Sequence, residues 1–416
     1  MFKLLTHFIN ELRRMTVKDK LSIRDLNLKD KKALIRVDFN VPLEKGLITD
    51  DSRIQASLPT IQYVLDQGGA VILMSHLGRP KGLFDSKFSL APCAKRLSEL
   101  LKKPVKMAAD CCGLDVEQMV RQLKSGEVLL LENLRFHKGE ERPDDEPNFT
   151  SALSELGDVY INDAFGTAHR AHASTTRIAK FFPNRAAAGL LLEKEISYLG
   201  CALTNPKRPF CAVLGGSKIS TKFKVIEALQ SKADVLLIGG AMAFTFFKSE
   251  GIPIGDSLYE SEFVAVAREL IGVDTQSRCR LLLPIDLVIA KKMDESSSET
   301  RIISVKEGIP DGYQGVDIGP DTIKLYQEEL NRAATIFWNG PLGVFEVPAF
   351  SRGTQTIAQT LAVVNAITIV GGGDSLAAIE QAGVSKQINH LSTGGGASLE
   401  YIEFGQLPGI EALSDK

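Results

Sequence analysis

From Lys32 onward, short apolar runs alternate with segments of helical spacing, and this alternation constrains the fold more than any other feature of the chain. Each apolar run ends in a polar or glycine-rich turn that leads into the next helical segment. Strands that alternate with helices form βαβ units and a parallel sheet, and ligands bind at the carboxyl ends of such strands. The sequence therefore predicts an α/β protein whose function lies in the residues that follow each strand.

In the first half of the chain, the predicted strand ends carry charge. Strands predicted at 33–37, 70–74, 128–131 and 159–161 lead into segments that contain Asp38, Asn40, His76, Arg79, Arg135 and Arg170. Arg53 lies outside a strand end but within reach of the same sheet edge. A single arginine is most often a surface charge, but the arginine fork matches carboxylate and phosphate groups. Its repetition at successive strand ends favours a small substrate with several negative charges, whose hydroxyls Asp38 and Asn40 would bind.

In the second half, the predicted strand ends carry glycine instead. Strands predicted at 210–214, 235–238, 336–338 and 366–370 lead into Gly215-Gly216, Gly239-Gly240, Asn339-Gly340-Pro341 and Gly371-Gly372-Gly373, and Gly394-Gly395-Gly396 follows a shorter apolar pair. Such glycines would leave a smooth floor for a base, a ribose and a phosphate chain. Lys218 and Lys222 lie four residues apart, so on a helix they would share one face. Their place after Gly215-Gly216 favours phosphate contacts over a solvated lysine pair.

The segment Gly371-Gly372-Gly373-Asp374-Ser375 stands between a predicted strand and a helical turn predicted at 376–379. Glycine lets backbone N–H groups approach a ligand closely, and a helix start supplies oriented donors. The pattern suits phosphate, and Asp374 indicates a cation such as Mg²⁺ between its carboxylate and that phosphate. A tight turn without a ligand is the alternative for this segment taken alone.

Length and composition exclude several classes of protein. At roughly 150 residues per domain, 416 residues favour two domains, and a helix predicted at 185–204, before two prolines, marks the boundary. A net charge of −2 and a pI near 6.4 predict no general attraction to nucleic acid or membranes. Six cysteines without a Cys-x-x-Cys pair predict reduced thiols in a cytoplasmic protein. The Walker, dinucleotide-fingerprint, zinc and hydrolase-nucleophile motifs are absent from the sequence.

One half with a basic pocket and one half with a glycine floor indicate phosphoryl transfer between two bound substrates. Two domains that bind one substrate each and then close would keep water from competing as acceptor. Two alternatives come from other classes. An NAD-dependent oxidoreductase needs a glycine fingerprint that the chain lacks, and a non-catalytic metabolite-binding protein would not need Lys218, Lys222 or Asp374.

Six segments together resemble the phosphoglycerate kinase family, in the expected order from about Met15 to the C-terminus: 36–42, 75–80, 162–172, 338–346, 371–375 and 392–398. The resemblance implies two Rossmann-like three-layer domains with parallel sheets, joined by a hinge helix, in a monomer. It also implies reversible phosphoryl transfer between 1,3-bisphosphoglycerate and ADP, giving 3-phosphoglycerate and ATP in glycolysis, with Mg²⁺. The implied domains are 15–184 with about 400–416, a connecting helix at 185–204, and 205–399, after an unmatched N-terminal extension at 1–14.

The resemblance also implies roles for individual residues. Those for the acidic substrate are Asp38, Phe39, Asn40, Arg53, His76, Leu77, Gly78, Arg79, Arg135 and Arg170. Those for the nucleotide are Gly215, Lys222, Gly239, Gly240, Gly315, Asn339, Pro341, Glu346, Gly372, Gly373, Asp374 and Ser375, with Glu346 on the ribose and Asp374 on the metal. Those that would stabilise an in-line transfer are Arg53, Lys218, Lys222, Gly372 and Gly395. The chain departs from the family pattern at Ser217 and at Phe404-Gly405-Gln406.

Overall fold

The structure, a computed structural model, describes residues 20–274, 279–294 and 299–416. The extension predicted at 1–14 lies outside the described residues. The described chain divides into two compact units, and the division at Ser197–Tyr198 falls inside a helix. The first unit contains the chain up to Ser197 together with Gln406–Lys416, and the second unit contains Tyr198–Gly405.

The first unit is built on a six-stranded parallel sheet. Its strands are β1 (Lys32–Arg36), β4 (Ala70–Met74), β5 (Val105–Met107), β6 (Val128–Leu130), β7 (Val159–Asn162) and β8 (Ala186–Ala188), and the hairpin β2 (Leu43–Glu44) and β3 (Leu47–Ile48) follows β1. Its helices are α1 (Ser52–Asp66), α2 (Ala91–Leu101), α3 (Leu114–Gln122), α4 (Lys138–Glu141), α5 (Pro147–Ser154), α6 (Leu190–Thr204, shared with the second unit) and, near the C-terminus, α14 (Pro408–Glu411). The strand order is β5-β6-β4-β1-β7-β8.

The second unit has its own six-stranded parallel sheet. Its strands are β9 (Phe210–Leu214), β10 (Val235–Ile238), β11 (Arg280–Leu282), β15 (Thr335–Asn339), β16 (Ile367–Gly371) and β17 (His390–Ser392), in the order β11-β10-β9-β15-β16-β17. A separate antiparallel sheet, which the sequence did not predict, pairs β12 (Asp286–Ala290) with β13 (Thr300–Ser304) and β14 (Gln314–Ile318). The helices are α7 (Phe223–Gln230), α8 (Met242–Ser249), α9 (Val264–Asp274), α10 (Pro320–Arg332), α11 (Arg352–Val363), α12 (Gly373–Gln381) and α13 (Gly396–Phe404).

The central strands are apolar along their whole length because both of their faces are covered. Every residue of β4, β9 and β15 is buried, which is why these segments read as continuous apolar runs and not as alternating ones. The α/β class with parallel sheets in two units is therefore confirmed, and the main strands lie where the sequence predicts them, within one or two residues.

Two boundaries differ from the predictions. The helix predicted from residue 185 begins at Leu190, because Ala186–Ala188 pairs in parallel with β7 as the edge strand of the first sheet. Alanine is a strong helix former, so the tertiary pairing overrides local propensity there. The helix predicted from residue 376 begins at Gly373, so the glycine run itself supplies the first residue of α12.

The strand orders identify where ligands should bind. In the first sheet, β4 lies on one side of β1 and β7 lies on its other side. In the second sheet, β10 and β15 lie on opposite sides of β9 in the same way. Open α/β sheets bind ligands at such reversals, outside the carboxyl ends of the strands. The topology therefore points to the ends of β1 and β7 in the first unit and of β9 and β15 in the second.

Asp163 couples the end of β7 to the start of α6. Its Oδ1 accepts hydrogen bonds from the backbone N–H groups of Leu191 at 2.9 Å and Leu192 at 3.3 Å, and burial raises its pKa to about 7. Because the folded-state pKa lies above the ordinary value, the folded unit holds this proton more tightly than the unfolded chain does. Stability from this group is therefore full below about pH 4 and is lost progressively as the pH rises to about 7.

We expect Asp163→Asn to flatten that dependence. Between pH 5 and 7 the wild type should lose about 2 kcal/mol of local stability that the variant does not lose. Hydrogen exchange of the amides of β1 and β7 measures it, with the exposed Asp66→Asn as control. Equal slopes in wild type and Asp163→Asn would show that Asp163 is ionised throughout this range.

Candidate functional site

In the first unit, charged side chains gather where β1 ends. Arg53, on the first turn of α1, places its Nη1 3.1 Å from Asp38 Oδ2 and 3.1 Å from the Asn40 carbonyl oxygen. Asn40 in turn accepts a hydrogen bond on Oδ1 from the N–H of Gly78 at 2.9 Å. The turns after β1 and β4 and the start of α1 are therefore tied together through these side chains.

His76 lies at the centre of this cluster. It is buried, and Arg36 Nη2 donates to its Nδ1 at 3.2 Å, so that nitrogen carries no proton. Burial, followed by the charges of Arg36, Arg135, Arg53 and Arg170, holds the pKa of His76 well below 6.5. Four guanidinium groups from different segments thus act on one neutral imidazole; three of them, Arg53, Arg135 and Arg170, belong to the predicted set, whereas Arg36 does not and the predicted Arg79 is not among the four.

Several buried nitrogen atoms of the cluster have no hydrogen-bond partner in the described structure. They are Arg135 Nε, which lies 3.2 Å from Glu141 Oε1 without a hydrogen bond, His169 Nδ1 and His172 Nδ1. Burial and the charge of Arg135 lower the pKa of His172 to about 3. Buried polar groups in proteins are normally paired. Unpaired nitrogens beside a concentration of positive charge indicate a site for a polar, anionic ligand.

The remaining predicted residues of this side differ in what they offer. Arg170 is half-buried and donates through Nε to His169 Nε2 at 3.1 Å, and Arg79 is exposed in the turn after β4. Gly78 accepts from Arg135 Nη1 on its carbonyl oxygen at 2.8 Å. Phe39 and Leu77 are buried in the hydrophobic core of the unit, so their side chains hold the two turns in place and do not face a ligand.

The sequence reasoning assigned no role to the buried network behind this cluster. Arg36 Nε donates to Ser174 Oγ at 2.8 Å, and that hydroxyl donates to Glu140 Oε1 at 2.7 Å. Arg36 and Glu140 are both buried, and their ionised groups lie 3.9 Å apart. A charged residue inside an otherwise apolar strand was the one available signal, and it indicates that Arg36 orients His76.

In the second unit, a mostly apolar cavity of about 270 Å³ adjoins the ends of β9, β10 and β14. It is lined by residues that include Gly240, Phe244, Gly315, Leu342, Glu346 and Asp374. An apolar pocket with three carboxylate residues among its lining, Asp317, Glu346 and Asp374, suits a flat base and a hydroxylated sugar. The predicted residues Gly315, Pro341 and Glu346 all line it, and Glu346 is exposed.

A second, polar cavity of about 300 Å³ lies at the starts of α12 and α13. Lys218, Lys222, Asn339, Gly372, Asp374 and Gly395 are among its lining residues. Gly372 and Gly395 precede the two helices with φ of 96° and 48°, a conformation that favours glycine. Two helix starts and two lysines around one cavity form an anion-binding arrangement.

Only some of the glycines predicted to form a smooth surface under the nucleotide leave open space for a ligand. A Cβ on Gly215 would lie 2.0 Å from the Pro341 carbonyl oxygen, and one on Gly239 would lie 2.4 Å from a Leu342 methyl carbon. These glycines, like Gly240, allow two protein loops to pack closely. Gly373, Gly395 and Gly396 differ, because a Cβ there would meet nothing within 4 Å. The open glycines are those of the two helix starts.

Lys222 is held in this polar cavity by backbone oxygens. Its Nζ donates to the carbonyl oxygens of Gly215 at 2.6 Å and Asn339 at 3.0 Å. Burial lowers its pKa to about 8, against the opposing charge of Asp374. Lys222 is therefore mostly protonated at pH 7 and loses its charge over the next two pH units.

We expect the affinity for ADP to depend on the protonation of Lys222. Between pH 7.5 and 9.5, where the terminal phosphate is already ionised, the dissociation constant of ADP should rise by up to about tenfold per pH unit above 8. Titration calorimetry without metal measures it. Lys222→Met should bind more weakly and lose the pH slope, and Lys218→Met should keep the slope. A wild-type affinity that is flat over this range would contradict the assignment of Lys222 to phosphate.

The donor set around Asp374 is compatible with Mg²⁺. Asp374 is exposed on the first turn of α12 and lines both cavities. Mg²⁺ is commonly held by one or two protein carboxylates, with substrate phosphates and water supplying the other oxygens. Ser375 is not free for the metal, because its Oγ accepts from the Gly340 N–H at 2.6 Å. One exposed carboxylate beside a phosphate-type cavity therefore fits.

The first unit has a basic cluster at the carboxyl edge of its sheet, and the second unit has a groove suited to a nucleotide at the carboxyl edge of its own sheet. Each of these sites lies at a reversal of strand order. Together they define a nucleotide-dependent phosphotransferase of the α/β class. The family model described as phosphoglycerate kinase matches residues 23–405. The chain belongs to the phosphoglycerate kinase family.

Individual relatives agree. The chain is 52% identical over 397 residues to a phosphoglycerate kinase of Moorella thermoacetica, covering 95% of this chain and 100% of the relative. It is 52% identical over 405 residues to a chloroplastic phosphoglycerate kinase of Volvox carteri, covering 95% of this chain and 87% of the relative. The solved phosphoglycerate kinase structure from Coxiella burnetii superimposes with a TM-score of 0.85 at 40% identity, covering 94% of this chain and 98% of the other.

These findings confirm the predicted family, fold class and activity. The chain is a glycolytic kinase that transfers a phosphoryl group between 1,3-bisphosphoglycerate and ADP. Neither the oxidoreductase nor the non-catalytic alternative finds support among the relatives. Within the described residues, no helix combines the length and apolar character that crossing a membrane requires.

Proposed function

We propose that the acidic substrate, 3-phosphoglycerate or 1,3-bisphosphoglycerate, binds to the cluster around His76 in the first unit. Its ligands are the predicted set Asp38, Asn40, Arg53, His76, Arg79, Arg135 and Arg170. The observation that carries the assignment is the convergence of four guanidinium groups on one neutral imidazole, beside buried nitrogens that lack a partner. Asp38 and Asn40 present oxygens in the same turn, which suits the substrate hydroxyl.

The nucleotide is assigned to the two cavities of the second unit. The apolar cavity receives adenine against Gly315 and Phe244, with the ribose on Glu346, and the polar cavity receives the phosphates. Gly215, Gly239 and Gly240 allow the loops beside the cavities to pack closely, because a Cβ at any of them would clash with protein atoms. Asn339, Pro341 and the turn Gly372–Ser375 complete the set, and Asp374 would hold Mg²⁺.

Transfer needs charge stabilisation on the moving phosphoryl group. Lys218, Lys222 and the backbone N–H groups at the starts of α12 and α13 supply positive charge and oriented donors, with Gly372 and Gly395 allowing the close approach. When bound, Mg²⁺ neutralises charge on the nucleotide phosphates. Arg53 contributes the guanidinium on the acidic-substrate side. The proposed reaction is a direct in-line transfer without a covalent enzyme intermediate.

We further propose that the two units close during turnover, because each carries one substrate's site and water must be excluded. The predicted connector at 185–204 would act through α6 as the hinge, with the two domains at 15–184 plus about 400–416 and at 205–399. We also propose that the protein is a monomer in the cytoplasm. Light scattering on the purified chain tests the oligomeric state, and small-angle scattering with and without both substrates tests closure.

One experiment tests the site assignment as a whole. ATP-dependent turnover of 3-phosphoglycerate is followed in a coupled assay with and without Mg²⁺, and each substrate is titrated alone by calorimetry. We expect turnover only with Mg²⁺. We also expect Arg135→Met to weaken 3-phosphoglycerate binding alone and Lys222→Met to weaken ADP binding alone. Variants that weaken the opposite substrate would overturn the assignment of one substrate to each unit.

Asp374→Asn tests the metal ligand. The Mg²⁺ concentration at half-maximal rate should rise on the order of tenfold, since a protein ligand is lost while the phosphates and water remain. Glu380→Gln, on an exposed position of the same helix, is the control and should leave the Mg²⁺ titration unchanged. An unchanged titration in Asp374→Asn would remove Asp374 from the metal site.

A further inference from the structure

A group of metal-ligating side chains lies outside the proposed active site, at the ends of β5 and β6. Asp110 and Cys111 follow β5 in the chain, and His137 follows the short helical turn after β6. One ligand atom from each, a carboxylate oxygen, a sulfur and an imidazole nitrogen, lie within 4.8 Å of one another. Within residues 20–274, 279–294 and 299–416, no other three such side chains come this close.

Each donor is held by contacts that leave it facing the others. His137 Nε2 lies 2.6 Å from Asp110 Oδ1, and the His137 ring stacks on Phe149 with ring centres 4.8 Å apart and 19° between the planes. The Cys111 backbone N–H donates to Asp110 Oδ1 at 2.6 Å, and its thiol donates to the Glu132 carbonyl oxygen at 3.0 Å. These contacts hold the three donor atoms within 4.8 Å of one another.

The charges around Cys111 favour a cation. Its thiol is buried, and the carboxylates of Asp110, Glu140 and Glu132 act on it electrostatically. The negative charge of these carboxylates would stabilise a positive ion beside the sulfur. Metal binding would replace the thiol proton, as it does at protein zinc sites.

The donor set selects the kind of metal. A thiolate is a poor ligand for Mg²⁺ or Ca²⁺, whereas mixed sulfur, imidazole and carboxylate donors suit Zn²⁺. At zinc distances, tetrahedral ligands lie about 3–4 Å apart, so the group must contract by about 1 Å. The side chain of Asp110 is half exposed and can move that far. We propose that Asp110, Cys111 and His137 bind a zinc-type divalent cation, with water as the fourth ligand.

Spectroscopy with Co²⁺, without substrates or Mg²⁺, tests the site directly on the full chain. The wild type should show a sulfur-to-cobalt charge-transfer band and intense visible bands of a four-coordinate ion, saturating at one equivalent. Zn²⁺ should abolish both and raise the melting temperature. Cys111→Ser should lose the charge-transfer band. His137→Gln should weaken binding by more than the roughly 10–100-fold that outer ligand partners contribute.

Two further variants keep the test decisive. Cys112→Ser removes the neighbouring thiol, which lies outside the group, and should leave the spectrum unchanged. Asp110→Asn leaves the buried sulfur untouched, and it should retain the charge-transfer band but bind Co²⁺ at least tenfold more weakly. Absence of the band in wild type, its survival in Cys111→Ser, or its loss in Cys112→Ser would overturn the proposal. The first result would leave Asp110 and His137 as a hydrogen-bonded pair only.

Discussion

Replacing Arg53 with alanine is expected to lower kcat by about 10²–10³ and to leave ADP affinity within about twofold of wild type. Arg53 is the proposed guanidinium on the acidic-substrate side, and it is positioned by Asp38 and by the Asn40 carbonyl oxygen, each 3.1 Å from its Nη1. Its loss removes the positive charge that is proposed to act on the moving phosphoryl group, while every residue proposed to bind the nucleotide is unchanged. Steady-state kinetics of both substrates and calorimetry with ADP measure the two effects.

Arg96 offers a matched control for this substitution. It lies on α2 and pairs with Asp51, next to the start of α1, and with Glu99. Arg96→Ala removes a half-exposed guanidinium of the same unit, and its kcat should stay near the wild-type value because such ion pairs contribute little. A full kcat in Arg53→Ala would remove Arg53 from the chemistry. An equal loss in Arg96→Ala would attribute the effect to packing of α1 instead.

Arg135→Met should weaken binding of the acidic substrate by about 100-fold, both in its Michaelis constant and in its dissociation constant, with little change in the Michaelis constant for ATP. The physical reason is burial: this guanidinium is 4% exposed, donates to the Gly78 carbonyl oxygen, and has its Nε 3.2 Å from Glu141 Oε1 without a hydrogen bond. A buried cation whose hydrogen-bond donors are not all used interacts strongly with an anion because little water competes. Methionine fills a similar volume and cannot replace the charge. Steady-state kinetics and calorimetry with 3-phosphoglycerate measure the loss.

The exposed Arg142 of the same segment serves as the control for Arg135. Arg142→Met should leave the Michaelis constants for both substrates unchanged. Thermal unfolding of Arg135→Met separates the two effects of the substitution, because the variant also loses the Gly78 contact. If the folded Arg135→Met variant binds the acidic substrate within about threefold of wild type, the phosphate and carboxylate of that substrate are bound elsewhere.

The local sequence pattern was sufficient to predict the fold where a strand and the residues that follow it form one continuous segment of the chain. Buried runs such as Phe210–Leu214 are uninterrupted because parallel strands are covered on both faces, so a single sequence window contains the whole signal. The residues after each run lie at the carboxyl edge of the sheet simply because βαβ connections make the strands parallel. The segment Gly371–Ser375 could therefore be predicted as a turn between a strand and a helix from its own residues, and its assignment to phosphate stays a prediction.

Local pattern failed where a residue's role depends on a partner far away in the chain. Ala186–Ala188 reads as helix and forms an edge strand because β7 offers it backbone partners. The sequence did not show that Gly215 and Gly240 also allow close packing of loops, with Pro341 against Gly215 and with Gly216 against Gly240. Arg36 reads as an ordinary strand residue, although it bonds to His76 and Ser174 in the core of the site.

The sequence by itself determined the α/β class, the positions of the main strands, and the family, because each of these depends on residues that are consecutive in the chain. Tertiary structure alone decided which arginines act on His76, which glycines face open space, and that Asp110 and Cys111 meet His137 from 27 and 26 positions away. The physical reason is that charge, burial and metal ligation act over a few ångströms in space. Residues that are distant in the chain come within such distances only once the sheets have formed.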